Sequence, residues 1–148
     1  MLLRKSDATD KLNSLLRGEI SAIETYHQAL KKIGETDHAA EIRRLHDDHI
    51  EAANILRKHI HSHGGEPAKS SGAWGAFAKA VAGTAKLFGT AAALKALKEG
   101  EEQGIFEYEN AIKDYELPRD CRELIETRLL PQTKAHIPVL DHLLTTVA

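Results

Sequence analysis

The chain of 148 residues has a single cysteine, Cys121. A lone thiol excludes an intramolecular disulfide framework and fits a reducing compartment, so a cytoplasmic location is expected. No acid–base pattern surrounds Cys121, which is therefore expected to be structural. There are only four prolines, and no alternating run of Val, Ile and Thr, which argues against a sheet. Neither sign of charge dominates. The net charge is −2 with both signs interspersed, and without a basic face nucleic acid is not an expected partner. The most apolar stretch, residues 73–97, is broken by Lys79, Lys86 and Lys95, so no membrane span is expected. The opening MLLRKSDATDK turns polar too early for a secretory signal.

What the chain does have is long stretches of Ala, Leu, Glu, Lys and Arg, which predict helices in one domain over residues 1–148. A first helix should begin after Ser6 or Asp7 and run to Ile33, where Gly34 offers a left-handed cap. A second should start at Asp37, a good N-cap, and run to about His63 before Gly64 and Gly65 stop it. The Gly-, Pro- and Ser-containing segment 64–73 is a linker. Residues 74–88 predict a shorter helix with breaks near Gly83 and Gly89, and residues 90–115 a third long helix. The fourth should open with Pro118 at its first position and be kinked at Pro131 and Pro138. Short connections make each outer pair an antiparallel hairpin. At about 1.5 Å per helical residue, segment 64–89 can cross the whole length of the molecule. The expected fold is an all-α four-helix bundle of two antiparallel hairpins joined by a long, partly helical crossover.

Two glutamates interrupt the apolar stripes of this bundle. Leu12, Leu16, Ile23, Tyr26, Leu30 and Ile33 recur in steps of three and four, apart from a seven-residue gap that Glu19 fills in phase. Leu94, Leu97, Ile105, Tyr108 and Ile112 do likewise around Glu101, which sits four residues from each side of an eight-residue gap. The segments also repeat. Gly18, Glu19, Ala22 and Tyr26 match Gly100, Glu101, Gly104 and Tyr108 at a constant offset of 82 residues. Glu19 and His49 each lie fifteen residues from Gly34, and Glu101 and His136 lie seventeen and eighteen from Pro118. Glu19, His49, Glu101 and His136 can thus converge in one layer. A buried carboxylate is costly unless paired, so the layer is either a metal site or a deliberate polar layer that fixes helix register.

Carboxylate and imidazole together suit iron, manganese or zinc. Di-iron bundles take one Glu from each of two helices and a Glu-x-x-His pair from each of the others. Here the second helix has His46 three residues before His49, and the fourth has Thr133 before His136. A full di-iron ligand set is therefore missing. Glu24, Asp47, Asp48 and Glu102 are nearby carboxylates whose angular positions point mostly away from the seam.

The repeated Gly-Glu…Tyr segments and the histidines of the second and fourth helices resemble the rubrerythrin-like branch of the ferritin-like superfamily. Within it, the GGEP turn, the Trp- and Gly-containing crossover and Leu117-Pro118 are similar to a bacterial family of four-helix-bundle proteins, a domain of unknown function. The resemblance implies a ferritin-like bundle with Glu19, His49, Glu101 and His136 as metal ligands, and His46, three residues before His49 where the family pattern has Glu, is a further candidate by spacing alone. Tyr26 and Tyr108 would then be hydrogen-bonded around the metal. It implies iron, with manganese or zinc as alternatives, an oxygen, peroxide or iron-related stress role, and a homodimer. The alternative is a metal-free, non-catalytic bundle that acts by association. His59, His61 and His63 near the end of the second helix are expected to serve its dipole. The small residues from 73 to 97 are expected to pack the crossover on the bundle, unless Trp74 or Phe77 is exposed.

Overall fold

The computed structural model describes residues 5–33, 37–72 and 75–147. These form α1 (Lys5–Ile33), α2 (Asp37–Ser62), α3 (Gly75–Ile112), α4 (Arg119–Leu124) and α5 (Leu130–Val147), with a π-helical turn at Ile125–Leu129 between the last two. No strand occurs among the described residues. The fold is the expected all-α bundle of two antiparallel hairpins joined by a long, partly helical crossover. The capping site at Gly34, Trp74 and the side chain of Phe77 lie outside the described residues. None of the described helices is long and apolar enough to cross a membrane.

Helix α2 ends as its two glycines predict. Gly64 sits at φ 79°, its N–H donates to the His61 carbonyl, and the Gly65 N–H reaches back to the Ile60 carbonyl. This pair of bonds is the Schellman arrangement, which closes carbonyls a helix end would leave open. A Cβ on Gly65 would come within 2.5 Å of the Thr9 side chain, so the position is closed to larger residues. The chain then passes along α1, where the Asn13 side-chain amide donates to the Glu66 carbonyl and its oxygen accepts from the Ala68 N–H.

The two glycines of the crossover behave differently. Gly89 has φ 86° and ψ −169° inside α3, a conformation open only to glycine. It separates a crossover helix from the core helix that follows. Gly83 stays helical, which corrects the expectation of a break there. A helical glycine costs only about 1 kcal/mol, so it does not interrupt a helix unless it adopts another conformation.

The last helix also departs from expectation. Pro118, at φ −52° and ψ 144°, precedes α4 instead of opening it, and its carbonyl accepts from the Cys121 and Arg122 N–H groups. The disturbance expected from Pro131 takes the form of the π-turn just upstream, in which the Leu130 N–H bonds the Ile125 carbonyl. A widened turn gives room where the proline ring would press on the preceding turn.

Helix α1 packs against α2 and α3, and α3 against α5, with α2 and α5 also in contact. Apolar packing falls into two clusters. One contains Leu12, Leu16, Leu56, Ile60, Ile125 and Leu129, the other Ile33, Ile42, Leu45, Leu94, Leu97 and Leu140. Between the two halves lie buried Glu19, His49, Glu101 and His136.

Candidate metal centre

Helices α1, α2, α3 and α5 each contribute one of these four residues. His49 is sandwiched between the glutamates: Nδ1 lies 2.6 Å from Glu19 Oε2, and Nε2 lies 2.6 Å from Glu101 Oε1. His136 Nδ1 lies 3.1 Å from the same Glu101 oxygen, and its Nε2 lies 2.9 Å from Asp48 Oδ2. The tyrosines cross between the hairpins. Tyr26 of α1 donates to Glu101 Oε1 at 2.6 Å, and Tyr108 of α3 donates to Glu19 Oε1 at 2.6 Å. The reciprocity follows from the repeat: in both helices the tyrosine lies seven residues, about two turns, beyond the glutamate. On antiparallel helices each tyrosine therefore reaches the opposite carboxylate.

The charges depend on one another. Burial alone would raise the Glu101 carboxyl, but the His49 charge and hydrogen bonds from His136 and His49 overcome it and hold the group down at about 2. Burial works against a charged His49, yet the Glu101 and Glu19 carboxylates outweigh it and hold the ring well above its ordinary value. Burial, with the neighbouring carboxylates, pushes both tyrosine hydroxyls up, so they remain donors.

Of the residues expected from sequence, the structure brings Glu19, His49, Glu101 and His136 into one network, with Tyr26 and Tyr108 bonded to it. It does not bring in His46, whose Nδ1 pairs with Asp47 at 3.2 Å. Thr133 is buried, but its hydroxyl donates to the Leu129 carbonyl. Glu24 accepts from Ser71 of the crossover loop. Asp48 is the residue that sequence reasoning placed wrongly: it does not point away from the seam but meets His136. The signal was available, because Asp48 lies three residues after Leu45 and four before Ala52, on the buried stripe of α2.

A ring nitrogen of His49, a Glu101 carboxylate oxygen and a ring nitrogen of His136 all lie within 4.8 Å of one another. These three could hold a divalent cation. Two observations fit that role. Glu101 Oε2 is buried without a hydrogen-bond partner, which is costly for a charged acceptor. Both imidazoles also have a separate carboxylate on the nitrogen that faces away from Glu101, Glu19 for His49 and Asp48 for His136. Metal-bound histidines are oriented by such carboxylates on the far ring nitrogen. Glu19 would act in this way, through His49.

A cavity of about 60 Å³ adjoins the network, lined by Glu19, His49, Glu101 and both tyrosines, and by small residues including Gly18, Ala22, Gly100 and Gly104. The repeat thus supplies both the carboxylates and the small residues that leave space beside them. Its exposed lining is largely apolar, with the carboxylates at one side, and it has room for a water-sized molecule.

Comparison of the chain with curated proteins and with solved structures finds no match. A family model matches residues 7–114, a span that holds both repeat segments, Asp48 and His49 and ends before His136. On that match the chain belongs to the family described as a domain of unknown function, DUF2383.

Proposed function

We propose that the protein is a ferritin-like bundle with a mononuclear metal site in its polar layer. His49, Glu101 and His136 are the ligands, and Glu19 and Asp48 orient the two imidazoles. The observation that carries this reading is the pairing of each imidazole between Glu101 and a second carboxylate. Two histidines and a carboxylate with positions left open suit iron, and also manganese or zinc. Bound iron or manganese would supply redox chemistry toward oxygen or peroxide, consistent with an iron-related stress role. The chain's own part is to hold the ligands, keep the tyrosine hydroxyls protonated, and keep space for a small molecule beside Glu19 and Glu101. A cytoplasmic location follows from the lone cysteine, and a homodimer from resemblance to ferritin-like bundles.

Metal analysis of protein purified without a polyhistidine tag tests this reading. One equivalent of iron, manganese or zinc is expected in the layer, abolished by Glu101→Gln and weakened about 10- to 100-fold by Asp48→Asn. Folded protein that takes up none of the three metals there would overturn it. That result would favour the second reading, a register-setting polar layer. The supporting observation for that alternative is His49, which bonds a carboxylate through each nitrogen without help from an ion.

A further inference from the structure

A second group of metal-ligating side chains lies at another place in the bundle, where the end of α2 meets the start of α4. A ring nitrogen of His59, a ring nitrogen of His63, a carboxylate oxygen of Asp120 and Sγ of Cys121 all lie within 4.8 Å of one another. We propose that these four residues form a structural zinc site that clips the first hairpin to the second.

The spacing suits the task. His59 lies on the last turn of α2 and His63, four positions on, is the residue just after the helix, a spacing that puts both rings on one face. The Schellman turn at Gly64 and Gly65 fixes where that face ends. Asp120 and Cys121 are adjacent in the first turn of α4. His63 Nε2 lies 2.9 Å from Asp120 Oδ2 and 3.4 Å from Cys121 Sγ, and His59 Nδ1 lies 3.6 Å from Asp120 Oδ2. Tetrahedral zinc with ordinary bond lengths separates its ligand atoms by roughly 3.3–3.6 Å. The cluster is already close to that spacing.

Hydrogen bonding alone leaves the group incomplete. His59 Nδ1 is buried with no hydrogen-bond partner. His63 Nε2 faces both the Asp120 carboxylate and the Cys121 sulfur, so a single N–H is shared between two acceptors. A cation bound by all four gives His59 Nδ1 a partner and each of the others a direct bond. The thiol, pushed up to about 12 by burial and by Asp120, is protonated until an ion arrives. Zinc binding replaces the S–H bond with a Zn–S bond and releases one proton to solvent. Four protein ligands with no open position mark a structural site rather than a catalytic one. The thiolate makes zinc a better occupant than magnesium or calcium.

Cobalt(II) substitution tests the site directly. Cys121 is the only cysteine, so a sulfur-to-cobalt charge-transfer absorption can come from nowhere else in the chain. One equivalent of cobalt should give that absorption, and zinc should abolish it by displacement. Zinc should also raise Tm. Cys121→Ser should remove the absorption and the Tm response. His63→Asn, at a partly exposed position and so without a packing cost, should weaken cobalt binding at least tenfold. Glu101→Gln should leave all three signals intact, which separates this site from the central layer. Absence of the absorption in the wild-type protein, or an unchanged affinity in both His63→Asn and Asp120→Asn, would overturn the proposal.

Discussion

Glu101 and Glu19 occupy matched positions in the repeat but depend on their tyrosines to different extents. Glu101 Oε1 has three partners, Tyr26, His49 and His136. Glu19 Oε1 has Tyr108, while His49 serves its other oxygen. Tyr108→Phe therefore strips a buried carboxylate oxygen of its partner, while Tyr26→Phe leaves Glu101 Oε1 with two. Bonds to charged groups contribute about 1.5–3 kcal/mol, so Tyr108→Phe should destabilise the metal-free protein by that order and Tyr26→Phe by less. Urea unfolding of both variants gives the comparison, and equal losses would contradict it. At this scale both glutamates were legible, because a charge on an apolar stripe is conspicuous. Asp48 is legible only in part: its spacing to Leu45 and Ala52 sets it at the stripe of α2, but its partner depends on how α5 is turned toward α2. His59 and His63 read in sequence as serving the helix dipole, because nothing local in α2 announces that Asp120 and Cys121 will be brought to them.

Glycine separates the legible from the illegible among the elements. Gly64 and Gly65 were expected to stop α2 and do so with a positive φ and two backward bonds. Gly83 and Gly89 look alike in sequence, yet only Gly89 leaves the helical region, a choice made by how the crossover must turn onto the bundle. Substitutions expose the difference. Gly18 is helical, and a Cβ there meets nothing within 4 Å. Gly18→Ala should therefore stabilise the protein by about 0.5–1 kcal/mol. Gly89→Ala should destabilise it, because φ 86° strains any residue with a Cβ, although space is open there too. Thermal unfolding of the two variants should shift Tm in opposite directions, and a common direction would refute the assignment. The π-turn was legible only as a disturbance. Pro131 signalled that regular bonding would fail, but periodicity carries no sign of whether the helix bends, breaks or widens.

For the molecule as a whole, the charged layer between the two apolar clusters sets how stability responds to pH. The folded Glu101 value, about 2, lies below its ordinary 4.5. Its contribution is complete above pH 4.5 and is lost as pH falls toward 2. The folded His49 value lies well above its ordinary 6.5. Its contribution is complete below pH 6.5 and is lost as pH rises through the folded value. Metal-free protein should thus be held most firmly by this pair between pH 4.5 and 6.5, with the urea midpoint falling on either side. In Glu101→Gln the acid-side loss should shrink, and an unchanged profile would rule out the layer as its source. The exchange of tyrosines between the hairpins has a further consequence, for cooperativity. Each carboxylate is completed by a hydroxyl from the other half of the chain, so neither hairpin can be electrically whole alone. Partly unfolded forms with one hairpin intact would leave a buried acid without its donor, which penalises such intermediates. Loss of helix and loss of tyrosine burial should therefore coincide in a single transition.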